Sequence, residues 1–317
     1  MTPTRGFDER SVLTTRVIVW WSLGLLVLAV GSITALWLVL GGGGRDPAVR
    51  LDIIRTALSI VVGGGGAAGL LLTARRQRTT ELDLAQKGHD AVEARVTELY
   101  GKAAEQLGND KAPVRLAGIF ALERLAQSHP QHRQTIVDLL CAYLRMPVQL
   151  ADRTPEAQQE REVRESAQQV LTSHLRTDDE ETFWADVRLN LAGATLSTFT
   201  FSRCRVRSAT FSGTVFVGPA VFRGSTFETQ GDFRGVRFTG LADFRRVAFG
   251  AEGANFRGAR FEGEVDFGTQ TEAALTGALA TDCDQRRKWP AGWECRPDPE
   301  VPGWARLSRC RRDPVPA

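Results

Sequence analysis

The sequence lacks the short motifs that mark common catalytic and cofactor sites. Its 317 residues contain no HExxH zinc motif, no GxSxG nucleophile turn, no Walker-type phosphate loop and no EF-hand spacing. The net charge of +3 is too small to indicate a nucleic-acid partner. The sequence therefore predicts a protein that is not an enzyme and that uses no catalytic residue, metal, cofactor or small-molecule substrate.

Cysteine is scarce, and its spacing fits none of the common cysteine-based sites. The five cysteines lie at positions 141, 204, 283, 295 and 310, without CxxC spacing or a zinc-type set with histidine. His129 and His132 stand in the turn segment SHPQH without a cysteine or carboxylate cluster beside them, so we expect no metal there. We expect reduced, mostly buried thiols in a reducing compartment, with a Cys283–Cys295 disulfide as the alternative.

Two segments near the N-terminus lack charged residues altogether. Residues 17–40 form an uncharged run of 24 residues, and residues 56–74 form a second run of 19. About 20 apolar residues in a helix cross a bilayer, so the sequence predicts a membrane α-helical hairpin within residues 1–78. Gly65 and Gly69 have the GxxxG spacing of closely packed membrane helices, which fits either a tight hairpin or a homodimer.

Arginines flank both predicted spans. Arg75, Arg76 and Arg78 follow the second span, three arginines precede the first, and three more lie between the spans. Because Lys and Arg are enriched on the cytoplasmic side, we expect a multi-pass protein of the cell (plasma) membrane with both termini cytoplasmic. We expect no cleaved signal peptide, since the apolar run exceeds the roughly 7–15 residues of a signal-peptide core.

Residues 79–180 have the apolar periodicity of helices. A capping-box pattern at Asp90–Glu93 predicts that a helix begins there, and Gly108 predicts its end. A second helix is expected in PVRLAGIFALERLAQ, and two more are expected at about 131–145 and 155–175. This segment is therefore predicted to be a small α-helical domain.

The stretch GDFRGVRFTG, residues 231–240, belongs to a long internal series. Apolar residues recur every five residues at first, and later at gaps of six and five with a single gap of seven. The position two before each centre is small or β-branched from Ala209 onward, and glycine predominates two after it. The repeat centres are Leu191, Leu196, Phe201, Val206, Phe211, Phe216, Phe222, Phe227, Phe233, Phe238, Phe244, Phe249, Phe256, Phe261 and Phe267.

A period of five fits neither a helix nor a simple strand ladder. In a short extended segment, residues two apart point to the same side, so each unit directs one large and one small side chain inward. The recurring glycine permits a turn to the next unit. Such a chain winds into a solenoid with coils about 4.8 Å apart, and residues 185–269 would form about four coils with the extra residues bulging at corners.

The series ATLSTFTFSRCRVRSATFSGTVF resembles the pentapeptide-repeat family. That resemblance implies a right-handed quadrilateral β-helix with four five-residue faces per coil. Here phenylalanine replaces the usual central leucine, and Asp or Asn precedes the centre only at 232, 243, 255 and 266. The layout of two spans followed by ELYGKAAEQLG, APVRLAGIFALERLA and FWADVRLNLAGATL resembles membrane-anchored actinobacterial proteins of uncharacterised function.

The two ends of such a stack are open sheet edges that need caps. We expect the fourth helix and the segment ETFWADV to cap the first coil. Residues 270–317, rich in proline and tryptophan, are expected to cap the last coil, with a free peptide-recognition tail as the alternative.

With the inward positions committed to packing, only the outward residues remain for recognition. We expect a non-enzymatic, membrane-anchored scaffold that binds an unknown protein partner at the cytoplasmic face, with homodimerisation through the β-helix ends as a further option. One alternative, implied by the resemblance, is a DNA mimic that binds gyrase; eleven arginines against eight acidic residues in 184–268 disfavour it. Another is a surface that binds anionic lipid. The candidate interaction face is Arg203, Arg205, Arg207, Arg234, Arg237, Arg245 and Arg246.

Overall fold

The structure is a computed structural model that describes most of the chain. The described residues are 47–148, 154–281, 283 and 286–310, with 20, 23, 24, 27, 30–35 and 38 nearer the N-terminus. The chain divides into two compact units, residues 1–93 and residues 94–317. The helices with defined bounds are α1 (Pro47–Leu107), α2 (Ala112–Ser128), α3 (Arg133–Arg145) and α4 (Pro155–Leu175), with a 3₁₀ turn at Pro130–His132.

Helix α1 passes through features that the sequence assigns differently. It includes residues 56–74, the second predicted span, and continues through Asp90, so the predicted helix start at that residue is wrong. No proline interrupts this segment. Its Leu, Ala, Glu and Lys residues favour one continuous helix more strongly than a single capping pattern favours a new helix start at Asp90. Among the described residues, no helix combines the length and the apolarity needed to cross a bilayer. Most of the other predicted span, 17–40, lies outside the described residues.

The glycines of α1 and the predicted boundary at residue 78 also fall within this helix. The division between the two compact units comes after Glu93 rather than at 78. A Cβ added to Gly69 would meet no atom within 4 Å in the described part of the chain. A partner helix at Gly65 and Gly69 therefore stays a prediction.

The helical domain consists of the end of α1, residues 94–107, with α2, α3 and α4. Gly118 on α2 permits a close approach to α1, because an added Cβ would lie 2.8 Å from the carbonyl oxygen of Ala103. The helices predicted at 131–145 and 155–175 are confirmed within two residues. Fully buried apolar side chains of this core include Ile119, Leu122, Ile136, Leu140, Val163 and Leu175.

A buried polar network joins the helices of this domain. The guanidinium of Arg164, which is 3% exposed, donates a 3.0 Å hydrogen bond to the carbonyl oxygen of Met146 just beyond α3. Glu160 accepts hydrogen bonds from the Tyr143 hydroxyl at 3.0 Å and from Arg115 at 2.9 Å. Burial, together with the Glu160 carboxylate, raises the pKa of Tyr143 to about 12. The network satisfies polar groups at the end of α3 that the helix itself leaves unpaired.

The following residues wind into a parallel β-solenoid. Its strands are β1 (Arg188–Asn190), β2 (Thr195–Thr200), β3 (Arg205–Thr210), β4 (Val215–Val221), β5 (Thr226–Asp232), β6 (Arg237–Phe238), β7 (Ala242–Asp243), β8 (Ala248–Phe249), β9 (Gly253–Asn255), β10 (Arg260–Phe261), β11 (Val265–Asp266), β12 (Leu279–Ala280) and β13 (Arg287–Lys288). A final hairpin is formed by β14 (Trp293–Pro297) and β15 (Ala305–Arg309).

The parallel pairing confirms about four coils. Leu196 pairs with Phe216, Phe216 with Phe238, and Phe238 with Phe261, so each coil advances by 20 to 23 residues. The register shifts between Ser197 and Phe199, where the next coil has an extra residue. The extra residues therefore lie at irregularities of the strands, as the alternating gaps predict.

The repeat centres form four inward columns, which define the faces of the solenoid. Every centre is buried except Phe249, which is partly buried. The rings stack coil over coil, with centroids 4.6 Å apart for Phe233 and Phe256 and 4.8 Å apart for Phe222 and Phe244. The columns are face 1 (Leu191, Phe211, Phe233, Phe256), face 2 (Leu196, Phe216, Phe238, Phe261), face 3 (Phe201, Phe222, Phe244, Phe267) and face 4 (Val206, Phe227, Phe249).

Glycine has two different roles in the repeats. Gly218 has a φ of +80°, which fits the predicted turn role. Gly240 and Gly263 do not need a positive φ; they permit close contact between coils instead. A Cβ added to Gly240 would lie 2.6 Å from the carbonyl oxygen of Gly218, and one added to Gly263 would lie 2.4 Å from that of Gly240. These three glycines form a column at the corner between faces 2 and 3.

The helical domain caps the first coil, as predicted. The Trp184 ring is fully buried and stacks on His174 of α4, with centroids 4.2 Å apart. His174 also places Nε2 2.7 Å from a carboxylate oxygen of Glu123. Gln134 of α3 imitates a neighbouring strand, because its amide both donates to and accepts from the backbone of Arg188, at 2.9 Å each. The edge of β1 is thereby hydrogen-bonded without another strand.

The C-terminal segment caps the last coil, and the free-tail alternative is wrong for the described residues up to 310. Strands β12 and β13 continue faces 2 and 3 into a fifth coil, and β15 pairs antiparallel with β12. Trp289 covers Phe261 at a centroid distance of 5.4 Å. Cys283 and Cys295 form a disulfide, so the expectation of reduced thiols is wrong for this pair. The 5.7 Å between their Cα atoms is a distance that the fold of the cap sets, and sequence spacing alone does not reveal it.

Replacing Gly240 with alanine should destabilise the solenoid by about 1–3 kcal/mol, the usual cost of overpacking, because the new Cβ would meet the Gly218 backbone. The matched control is Gly101→Ala in α1, where an added Cβ meets no atom within 4 Å and helix propensity favours alanine. Chemical unfolding of both full-length variants measures the difference. A Gly240→Ala protein as stable as wild type would contradict the close contact between coils.

Candidate interaction surface

The seven arginines of the predicted interaction face do not share one face. Arg205 and Arg207 lie on β3 of face 4, and Arg237 lies on β6 of face 2. The others occupy corners after the centres of faces 1 and 3 (Arg234, Arg245 and Arg246) or the turn before β3 (Arg203). The structure therefore does not bring the seven arginines onto one side, because successive outward residues of a four-sided coil point in different directions.

The arginines near the first coil bind carboxylates of the segment that caps it. Arg203 lies 3.2 Å from Asp178, and Arg207 lies 3.2 Å from Asp186. The Arg205 guanidinium stands 4.7 Å from the centroid of the Phe183 ring. These contacts attach the connection between α4 and β1 to face 4. Exposed pairs of this kind contribute little stability, but they occupy the charges that the sequence assigns to a partner.

A ladder of alternating charges runs along the corner after face 3. Asp243, 1% exposed at its side chain, accepts hydrogen bonds from Arg223 at 2.8 Å and from Arg245 at 2.7 Å. Arg245 lies 3.6 Å from Asp266, which lies 3.9 Å from Lys288. Each carboxylate thus lies between two cations, so the charges of this ladder are paired with one another.

The Asp and Asn residues that precede some repeat centres close the backbone turn. An oxygen of each side chain accepts the N–H two residues later, at 3.1 Å for Asp232 and Asp243, 3.0 Å for Asn255 and 2.8 Å for Asp266. These are Asx turns, which place the following residue at the corner of the coil. The sequence shows where these residues occur, but their role in Asx turns follows only from the backbone geometry of the structure.

Burial and arginine contacts shift the pKa values of these carboxylates in opposite directions. Burial raises the pKa of Asp243, although the charge of Arg223 opposes the shift. At Asp232, burial also acts upward, but the combined hydrogen bonds and charge of Arg234 outweigh it and lower the pKa. Both groups have structural partners in the folded chain, which is the usual reason for such shifts away from an active site.

Of the seven arginines predicted to form an interaction face, Arg246 is the one without an ion pair among the described residues. Arg234 binds Asp232 at 2.7 Å, and Arg237 binds Glu262 on the next coil. Arg246 is exposed, with a φ of +57°. It lies beside a groove of about 480 Å³ that also contacts Phe249. This is the place where a predicted arginine remains available to a ligand.

The free thiols of the repeat and helical domains are chemically quiet. Cys141 and Cys204 are buried, and burial raises the pKa of each to about 12. A thiol with such a pKa is almost entirely protonated near neutral pH and is a poor nucleophile. No group of three metal-ligating side chains occurs within the described ranges, which include His129 and His132.

Sequence reasoning missed two residues, Phe199 in the core of the solenoid and Arg223 on its surface. Phe199 lies outside the five-residue series, yet it is buried and its ring centroid lies 5.5 Å from that of Phe216. The φ of +46° at Thr198 turns it inward at the register shift. Arg223 was missed as well. Its position one coil before Asp243 indicates an ion pair between the two residues. That signal is usable only when the coil length is known.

Residues 229–269 match the family model described as pentapeptide repeats, in 9 copies. This segment is a pentapeptide-repeat region. The match covers the third and fourth coils, and the stacked columns extend the pentapeptide-repeat solenoid back to Leu191. The earlier coils contain Leu and Val centres and a register shift. No curated protein and no solved structure matches the chain.

Replacing Asp243 tests the charge ladder and the Asx turn separately. Asp243→Asn keeps an oxygen for the N–H of Arg245 but loses the charge, so we expect a loss of about 1–3 kcal/mol in unfolding free energy. Asp243→Ala also loses the turn and should cost about 1 kcal/mol more. Exposed Glu264→Gln on the next coil is the control, with an expected change within about 0.5 kcal/mol. Equal stabilities of the Asn and Ala variants in urea unfolding would contradict the turn role.

Proposed function

We propose that this pentapeptide-repeat protein is a non-enzymatic scaffold that presents a rigid solenoid to a protein partner. The observation that carries the proposal is the difference between the inward and the outward positions of the repeats. Inward positions are filled by stacked rings, and the outward charges are mostly bound to one another between coils. A surface of this kind offers shape and backbone edges rather than activated side chains. Surfaces of stacked repeats commonly serve as extended binding faces.

We further propose that the scaffold is tethered to the cell membrane by its N-terminal segment, with both termini in the cytoplasm. The support is the uncharged run of 24 residues at 17–40 and the arginines that follow residue 74. The exposed Leu58, Val62 and Leu70 of α1 are consistent with a lipid environment. The layout also resembles that of membrane-anchored proteins with pentapeptide repeats.

The DNA-mimic and lipid-binding alternatives receive less support. A DNA mimic needs a long acidic surface, whereas residues 184–268 have more arginine than acidic residues. An anionic-lipid surface needs unpaired cations on one side, whereas the pairs formed by Arg223, Arg234 and Arg245 neutralise the corners. Inhibition of gyrase supercoiling by low concentrations of the full-length protein would overturn this ranking.

Alkaline carbonate extraction of cell membranes should leave the full-length protein in the pellet. The control variant carries Leu26→Arg together with Val30→Arg, because each charge near the centre of a span costs about 2.5–3.5 kcal/mol of insertion energy. We expect this variant to move to the soluble fraction. Extraction of the wild-type protein by carbonate would contradict the tether and would leave the scaffold proposal standing.

Proximity labelling by an enzyme fused to the C-terminus should identify cytoplasmic protein partners in intact cells. The reference is the same enzyme fused after residue 93, at the end of the first compact unit, which reports neighbours of the N-terminal segment alone. We expect a set of proteins enriched only with the full chain. Identical labelling by both fusions would contradict the scaffold role.

A further inference from the structure

Face 4 of the solenoid has fewer strands than faces 2 and 3. Its strands follow the order β3, β5 and β8, and among the described residues no strand pairs with the outer side of β8. By contrast, β12 and β13 continue faces 2 and 3. A strand edge inside a solenoid is usually covered by the next coil, so the exposed edge at β8 needs its own explanation.

The edge is open because the fifth coil takes a shorter path. Gly231 pairs with Ala254, twenty-three residues later, whereas Asn255 pairs with Ala274, only nineteen residues later. The chain thus crosses from face 3 to face 1 without a strand on face 4. The last ring of this column, Phe249, stacks on Phe227 below at 5.1 Å and is only partly buried.

The hydrogen-bonding groups of this edge have a defined pattern. The N–H of Ala248 donates to Ser225 at 2.9 Å, and the N–H of Gly250 donates to Phe227 at 2.8 Å, both in the coil below. Alternate residues of a parallel strand direct their backbone groups to opposite sides. The N–H and carbonyl of Phe249 therefore point to the open side, as they would toward a fifth strand.

A groove of about 480 Å³ lies over this edge. It is lined by Arg246, Phe249 and Gly250 from β8 and its flanking residues and by Gln270 and Glu272 from the short crossing. Arg246 brings an exposed cation that has no ion pair among the described residues. The groove thus combines an aromatic ring, a free strand edge, the Arg246 cation and, on the crossing, the Glu272 carboxylate.

We propose that this edge binds an extended segment of a partner protein by strand addition. The segment places an apolar side chain on Phe249. A carboxylate three residues earlier in the segment lies near Arg246, which itself precedes Phe249 by three residues. Backbone hydrogen bonds supply affinity and the two side chains supply specificity, which is the general logic of strand addition. This inference rests on the proposed scaffold function and locates its binding site.

The probe is the labelled peptide GDSTFTTQG, adapted from the strand of face 4 that contains Phe227, with Asp three residues before Phe. In the register of the solenoid, the N–H of the residue after Phe faces Phe249, whereas the N–H of Phe itself faces away. We expect fluorescence anisotropy to show saturable binding to the full-length protein. N-methylation of the residue after Phe should weaken it about tenfold, and N-methylation of Phe should leave it unchanged within about twofold.

Charge exchange tests the second contact. Arg246→Glu should weaken binding of the Asp peptide about fivefold, and a peptide with Lys in place of Asp should recover that loss. Arg257→Glu, an exposed arginine after the centre of face 1, is the matched control and should bind like wild type. Equal effects of the two N-methyl groups, or no binding to folded wild-type protein, would overturn the proposal.

Two measurements separate this inference from the scaffold function and from self-association. Partners labelled equally by wild type and by the Arg246→Glu and Phe249→Ser variants would refute the site while supporting the scaffold. Peptide binding without any labelled partner would refute the scaffold instead. In sedimentation experiments, the full-length wild-type protein and the Phe249→Ser variant should have the same association state. Loss of a dimer in that variant would identify a second copy as the occupant and would overturn our choice of a partner protein.

Discussion

The structure depends on one coincidence of distances. Parallel strands lie about 4.8 Å apart, and aromatic rings stack well at a similar separation. A phenylalanine at the same place in every coil can therefore stack on its predecessor while the backbone remains fully paired. From Phe211 onward, the observed centroid separations within the columns run from 4.6 Å for Phe233 and Phe256 to 5.1 Å for Phe216 and Phe238, which shows both conditions met together.

This coincidence constrains the rest of each coil. The centres must return to the same place although successive coils contain 20 to 23 residues, so the additional residues have to be absorbed at corners. Register shifts, Asx turns and the glycine column at Gly218, Gly240 and Gly263 do this. A corner that bulges must not separate the coils, which is why two of these glycines are required for contact rather than for an unusual φ.

The constraint also explains what the sequence reveals. Repeat centres are readable because a column of equivalent positions recurs along the chain, and all those from Leu191 to Phe267 lie inward. Contacts between coils are harder to read. Arg223 and Asp243 are twenty residues apart, and their pairing follows only from the coil length at that corner. Phe199 and the crossing after Phe267 break the period, so periodicity alone could not place them. The helix start at Asp90 failed for a different reason, since a local cap cannot interrupt a segment with strong helix propensity on both sides.

A regular solenoid binds its own polar groups, and recognition is therefore favoured where regularity ends. Each coil supplies the hydrogen-bonding partners and many of the counter-charges of the coil below it. The first coil has no coil below, and the helical domain replaces one with the amide of Gln134. At the other end, the fifth coil supplies strands to faces 2 and 3 but bypasses face 4. The backbone of Phe249 and the charge of Arg246 lack the partners that a further regular coil would have provided. A ligand that replaces this missing coil gains backbone pairing and ring stacking together, and the same distances that hold the solenoid together would hold the ligand.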